Sequence, residues 1–215
     1  NIRVVFVLYG DICNIASIVR RIHEAGRFAV VHVDLIAGLA GKEVAVDFIR
    51  STTEADGIIS TRQSFIRRAK ELGLAAILRV FLLDSIALES LDKIPANLPD
   101  CLDLLPGAMP KILRRVCAKA KVPVLTGGLI ADKEDVLAAL EAGATAIVCQ
   151  DTELKATLKK LGQPPRMVVT DSQAFRRVSA DTPDDVPLTS FSILFARYKG
   201  RLDSAVRGVT ALRQL

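Results

Sequence analysis

The sequence predicts an α/β fold built as a parallel (β/α) barrel, and three observations carry that prediction. Short runs rich in Val and Ile recur through residues 1–155, continuous rather than alternating, as strands buried on both faces require. Each run is followed by a stretch whose apolar residues keep helical spacing. The units repeat about every 20–25 residues, with polar or glycine residues where the runs end. A doubly wound open sheet shares the βα pattern; the even spacing and the polar strand ends favour the barrel.

Taken in order, the first run, Arg3–Tyr9, ends at Gly10-Asp11 and leads to a helical face of Ile15, Ala16, Val19 and Ile22. The second, Ala29–Ile36, carries Asp34 near its end. The third, Gly57–Thr61, closes on Ser60-Thr61-Arg62 and precedes the helical set Phe65, Ile66, Ala69 and Leu72. The fourth, Ala75–Phe81, is followed by Asp84; the fifth, Cys101–Leu105, by Pro106-Gly107. The sixth, Val122–Leu125, runs to Gly127-Gly128 and the helical set Val136, Leu137 and Leu140. The seventh is Ala144–Cys149. Gly26, Gly73 and Gly143 stand where a helix should end before the next strand. Seven strands leave an eight-stranded ring one short.

Residues 161–165, Leu-Gly-Gln-Pro-Pro, read as a break. Beyond it come a strand over Met167–Thr170, Asp171-Ser172 as the cap of a short helix, and a loop marked by Pro183 and Pro187. An apolar run at Phe191–Ala196 and a last helix over Ala205–Leu215 follow. The chain therefore divides into a barrel at 1–155 and a C-terminal α/β appendage at 156–215.

Half of the 215 residues are apolar, which excludes disorder as the dominant state, and no apolar run reaches membrane-spanning length. A membrane role is not expected, and the cytoplasm is the expected location. Asn1 followed by an apolar run suggests a fragment or a processed start; Ile2–Gly10 has neither a basic flank nor a cleavage site, so it does not read as a signal peptide. The net charge of +5 is uneven: residues 1–155 hold 19 basic and 19 acidic residues, residues 156–215 hold 10 and 5. A basic pI therefore does not mark the barrel for nucleic acid. Four cysteines without a CxxC pair and only two histidines give no metal site; reduced thiols are expected. No Walker-type loop, GxSxG or HExxH is present, and no cofactor is expected.

The candidate binding residues lie at the strand ends. Gly127-Gly128 lets backbone N–H groups approach an anion, or else simply makes a tight turn. Ser60, Thr61 and Arg62 offer two hydroxyls and a planar donor fork. Arg79 falls inside an apolar strand, where an unpaired charge is costly; it must meet either a ligand anion or a carboxylate, Asp34 or Asp103. Gly107 precedes a helix in whose first turn Lys111 lies, reaching the mouth or solvated on the helix. No acid/base pair stands out, so no enzyme is expected; an enzyme acting on a phosphorylated sugar or triol would follow from fold analogy alone.

Five segments together are more specific than any one. They are 32–39 (His-Val-Asp-Leu-Ile, then Gly38-Leu39), 55–62 (Ala-Asp-Gly-Ile-Ile-Ser-Thr-Arg), 79–85 (Arg-Val-Phe-Leu-Leu-Asp-Ser), 104–111 and 127–135. In this order they resemble the glycerol-3-phosphate-responsive antiterminators, regulators of glycerol-uptake operons, over about residues 3–153. The resemblance implies a TIM-like barrel that binds glycerol 3-phosphate or a similar small phosphate, acts on an mRNA leader, and performs no catalysis. Gly127 and Gly128 then become the phosphate cradle, with Asp34, Ser60, Thr61, Arg62 and Arg79 around the ligand. Three departures stand out: the family's first strand and helix have no counterpart before Arg3, Asp151 follows the last strand where it would repel a phosphate, and the chain continues. That continuation, about 160–215, resembles the dimerisation region of the FeFe-hydrogenase maturation GTPase, above all in the run Thr189–Arg197. It implies a homodimer through Phe191, Ile193, Leu194 and Phe195, residues that could equally pack on the barrel. The alternative function is accordingly a dimerising scaffold with an inactive barrel. Met167–Thr170 could fill the place of the missing strand.

Overall fold

Alternation along each strand sorts its residues to two sides, and the two sides build two cores. In the computed structural model, which describes residues 4–95, 98–149 and 168–169, the strands are β1 (Val4–Val7), β2 (Phe28–His32), β3 (Gly57–Ser60), β4 (Ala75–Phe81), β5 (Cys101–Leu105), β6 (Val124–Gly127), β7 (Ala146–Cys149) and β8 (Val168–Val169). All pair in parallel and in sequence order, giving a curled eight-stranded sheet. The helices are α1 (Ile15–Glu24), α2 (Val44–Thr52), α3 (Gln63–Glu71), α4 (Ser85–Asp92), α5 (Pro110–Lys119) and α6 (Lys133–Glu141). One residue set, with Phe6, Val30, Ile59, Ile77, Leu125 and Ala146, fills the interior of the curl. The other, with Val31, Ile58, Ala76, Leu104 and Ile147, packs against Ile15, Val19, Ile49, Phe65, Leu113 and Val136 of the helices.

The α/β class and the TIM-like architecture are as the sequence predicts. Gly26, Gly73 and Gly143 all have positive φ after their helices. Boundaries differ in two places that matter for the site. The second strand ends at His32 and turns into a short 3-10 segment, Val33–Leu35, so Asp34 stands on a turn and not in a strand. The sixth begins and ends two residues later than expected, so that Gly127 closes the strand and Gly128 opens the turn. Helices α2 and α4 were not marked by the apolar spacing; α4 is short and has no buried residue.

The expected strand at Met167–Thr170 is described for Val168–Val169. It pairs with β7 (Val148 with Val168, Cys149 with Val169) and comes beside β1, where the ring lacked a strand. The other elements expected after residue 149, together with Asp151 and the interface candidates Phe191, Ile193, Leu194 and Phe195, lie outside the described residues.

The outer helices carry charges that answer one another. Arg68 of α3 bonds Asp47 of α2, with Nη2 at 2.5 Å, and Lys119 of α5 bonds Asp92 of α4 at 2.8 Å. Each partner holds Asp47 and Asp92 below the usual carboxylate range. Lys70 pairs with Asp100 just before β5.

Candidate functional site

Above the apolar layer of the interior, the next inward position on each strand is polar on β2, β4 and β5. It is His32 on β2, Arg79 on β4 and Asp103 on β5, two residues beyond Val30, Ile77 and Cys101. Thr61 follows β3, and Gly127 holds the same place on β6. These are positions toward the C-terminal ends of the strands, where a barrel of this kind places its binding chemistry.

Of the two readings for Arg79, the ion pair is the one observed. Its Nε bonds Asp103 Oδ2 at 2.7 Å, with Asp103 1% exposed. Burial raises the Asp103 pKa, and the Arg79 charge and hydrogen bond oppose that rise. His32 is the counterpart on β2. Burial, followed by the positive charge of Arg79, lowers its pKa from 6.5 to about 4; the Asp34 charge pulls the other way. The imidazole is therefore neutral at pH 7. Its buried Nδ1 has no hydrogen-bond partner among the described residues, and Asp34 Oδ2 is 3.9 Å away. Neither His32 nor Asp103 was singled out from the sequence as a site residue.

Asp34 gathers the third strand end. Its carboxylate accepts from Ser60 Oγ at 2.9 and 3.1 Å, from the Thr61 amide at 2.7 Å and from Thr61 Oγ1 at 3.1 Å. Arg62 Nε stands 3.8 Å from it, while Arg62 Nη1 donates to the Gly41 carbonyl at 2.6 Å and the guanidinium lies over the Phe65 ring. Asp34, Ser60, Thr61 and Arg62 thus come together as the sequence suggested, but mostly by bonding one another. Ser60 is fully buried; the Thr61 and Arg62 side chains are the exposed members.

The turn after β6 is built from unusual backbone. Gly128 has φ +73° and Leu129 φ +58°, the latter the one non-glycine among the described residues at positive φ. A side chain rarely accepts that region, and Leu129 does so while 77% exposed. Gly127 is set by contact, since a Cβ there would lie 2.3 Å from the Val148 carbonyl oxygen. Gly107 is boxed in as well, its notional Cβ 2.6 Å from Ile130 Cδ1, and its amide donates to the Gly128 carbonyl at 2.9 Å. The turns after β5 and β6 are therefore fastened to each other. Lys111 is exposed in the first turn of α5, with no ion pair among the described residues.

Two strand-end acids serve the backbone. Asp84 caps α4 by accepting from the Ala87 amide at 2.7 Å, and Asp11 accepts from the amides of Cys13 and Asn14. The described residues hold no group of three or more potential metal ligands, and no described helix is long and apolar enough to cross a membrane. A cavity of about 220 Å³ lies elsewhere, between α4 and α5 near the N-terminal ends of β5 and β6.

Comparison with known proteins agrees with this architecture. The family model for the glycerol-3-phosphate responsive antiterminator matches residues 1–155. A second, for the hydrogen maturase F dimerization domain, matches residues 116–200, so it begins inside the barrel and not at about 160. The uncharacterized protein YgcP of Escherichia coli (strain K12) is 44% identical over 156 residues, 72% of this chain and 82% of that protein. A glycerol uptake operon antiterminator regulatory protein from Listeria monocytogenes superposes with a TM-score of 0.63 at 32% identity, covering 68% of this chain and 80% of the other. A glycerol uptake operon antiterminator-related protein from Thermotoga maritima gives 0.59 at 33% identity, covering 67% and 82%. The chain belongs to the glycerol-3-phosphate responsive antiterminator family.

Proposed function

We propose that the chain is a regulator that senses glycerol 3-phosphate, or a closely similar small phosphate, and acts on an mRNA leader as a transcription antiterminator in the cytoplasm. The observation that carries the ligand half is the Gly127–Leu129 turn, a strained backbone loop at the end of β6, on the same barrel face as Arg79. Strained backbone at a strand end suits a close approach to an anion. In this reading the phosphate lies at Gly127 and Gly128, with Gly107 and Lys111 on the adjoining turn and helix. Arg62 and Thr61 border the mouth, Arg79 lines the interior while paired with Asp103, and Asp34 and Ser60 hold the third strand end in shape. The RNA half rests on the family. No reaction is part of the reading.

Isothermal calorimetry with glycerol 3-phosphate tests the ligand half. The expected result is saturable binding that weakens at least tenfold in Arg62→Ala; no heat at millimolar ligand refutes it. RNA binding should weaken steeply as salt rises, and a flat salt response refutes that half.

The second family match favours one further reading, a dimer formed through the C-terminal segment with Phe191, Ile193, Leu194 and Phe195 in the interface. Light scattering on the full chain and on a chain ending at residue 175 tests it. The expected change is from dimer to monomer; an unchanged mass refutes the interface.

A further inference from the structure

Although residues 1–155 are neutral as a whole, their basic residues are not evenly spread. Residues 110–121 hold Lys111, Arg114, Arg115, Lys119 and Lys121 and no acidic residue. All five are exposed. On a helix of 100° per residue, Lys111, Arg114, Arg115 and Lys119 fall within one arc of about 140°. The buried Leu113 and Val116 lie on the opposite side, against the barrel. The basic residues therefore form a stripe along the solvent face of α5, about 12 Å long from Lys111 to Lys119.

Elsewhere the cations are mixed, with Arg20, Lys42 and Arg67 exposed on separate parts of the fold without an ion pair among the described residues. Arg62, Arg68, Lys70 and Arg79 each stand in an ion pair. Of the five, Lys119 pairs with Asp92 and Arg115 adds its charge beside the same carboxylate; Lys111, Arg114 and Lys121, the last just beyond α5, have no ion pair among the described residues. The stripe adjoins the cavity between α4 and α5, whose walls combine Leu91, Ile94 and Pro95 with Arg115, Lys119 and Lys121.

We propose that the exposed face of α5, together with Lys121 just beyond it, is the RNA-binding surface of this protein, its five cations contacting the phosphate backbone. The inference rests on the RNA half of the functional reading and gives it a location. A polyanion is the partner that matches five exposed cations in this stretch with a single carboxylate, Asp92, beside them. An anionic membrane fits less well. Surface helices bind lipid through a free apolar face, and the apolar face of α5 is committed to the barrel core. With no aromatic residue on α5 on which to stack bases, backbone contact and shape carry the binding.

The placement also connects the two halves of the function. α5 begins just after the turn whose Gly107 amide is bonded to Gly128. A ligand that shifts the Gly127–Leu129 turn acts on the start of the helix that holds RNA.

The test uses the full chain, a fluorescent 20-nucleotide oligouridylate and a 20-base-pair RNA duplex, with anisotropy read from 50 to 200 mM salt. Arg114→Ala/Arg115→Ala/Lys121→Ala is compared with Lys42→Ala/Arg20→Ala/Arg67→Ala, which removes the same charge from exposed sites on other elements. The α5 triple variant is expected to lower the slope of log K against log salt by about 2 and to weaken binding at least tenfold. The control triple should stay within about threefold of the wild type. Equal losses in the two variants, or no loss in the α5 variant, overturn the surface while leaving RNA binding itself standing. A wild-type chain that binds neither RNA refutes the RNA reading and the surface with it. Tighter capture by phosphatidylserine vesicles than by RNA, lost in the α5 variant, overturns the choice of partner. Circular dichroism confirms that both variants are folded before binding is compared.

Discussion

Replacing Arg79 with Ala removes the partner of a carboxylate that is almost wholly enclosed. Asp103 is 1% exposed, and among the described residues its ion pair is the 2.7 Å contact with Arg79 Nε. Breaking a buried pair from one side typically costs about 3–5 kcal/mol, because the remaining charge is left without compensation. Replacing both members with apolar residues of similar volume is often close to neutral. Arg79→Ala should therefore lower the urea midpoint strongly and the thermal midpoint by about 10 °C. Arg79→Met/Asp103→Leu should recover most of that loss. The same single variant also removes the second cause of the low His32 pKa, so the histidine should titrate above about 4, readable by NMR. An Arg79→Ala chain within about 1 kcal/mol of wild type would refute the reasoning. So would a double variant as unstable as the single one. For ligand studies the consequence is practical: loss of glycerol 3-phosphate binding in Arg79→Ala would mix a lost contact with a loosened barrel, whereas Arg62→Ala touches an exposed side chain.

Three other perturbations have defined outcomes. With His32 near pKa 4 when folded and 6.5 when unfolded, the unfolded chain takes up a proton first as pH falls; stability is unaffected above pH 6.5 and declines below it. Between pH 7.5 and 5 that loss amounts to about 2 kcal/mol, and His32→Leu should remove this part of the pH dependence in urea titrations; an unchanged profile contradicts it. Asp34→Ala leaves Ser60 Oγ buried without its acceptor and frees the Thr61 amide, so a loss of about 2 kcal/mol is expected, with faster amide exchange at Thr61. Gly127→Ala forces a methyl group against the Val148 carbonyl and should cost about 2–3 kcal/mol; a thermal midpoint within 1 °C of wild type contradicts the close approach.

The strands were legible because their apolar runs are dictated by burial on two sides, which the sequence shows directly. Helices α1, α3 and α6 were legible for the same reason: Val19, Ile66 and Val136 recur at helical spacing. Helix α4 was not, because it is short, has no fully buried residue, packs on the core only through half-buried Leu88 and Leu91, and starts at the Asp84 cap. At the site, residue types and strand-end positions were readable, and partners mostly were not. Asp34 looked like a ligand contact, yet its oxygens are occupied by Ser60 and Thr61, a pairing across 26 residues that no local pattern announces. Asp103 was readable as one of two carboxylates able to meet Arg79, and it is the one that does; His32 was not readable as a site residue because it is embedded in an apolar run. The charge totals likewise hid the α5 stripe, because a neutral sum says nothing about where the charges sit.

The two short residues of β8 have a consequence for how the chain behaves among its own copies. A parallel sheet that does not close presents two rows of unpaired backbone N–H and C=O groups, here along β7 and β1, and such edges are templates for adding strands from other molecules. Val168 and Val169 stand at that seam, paired to β7 and beside β1. They lie beyond the residues matched by the antiterminator family and within those matched by the dimerization domain. Two positions of the β7 edge are thus covered by residues beyond 155, and a protein trimmed at residue 155 should present more of that edge to other copies.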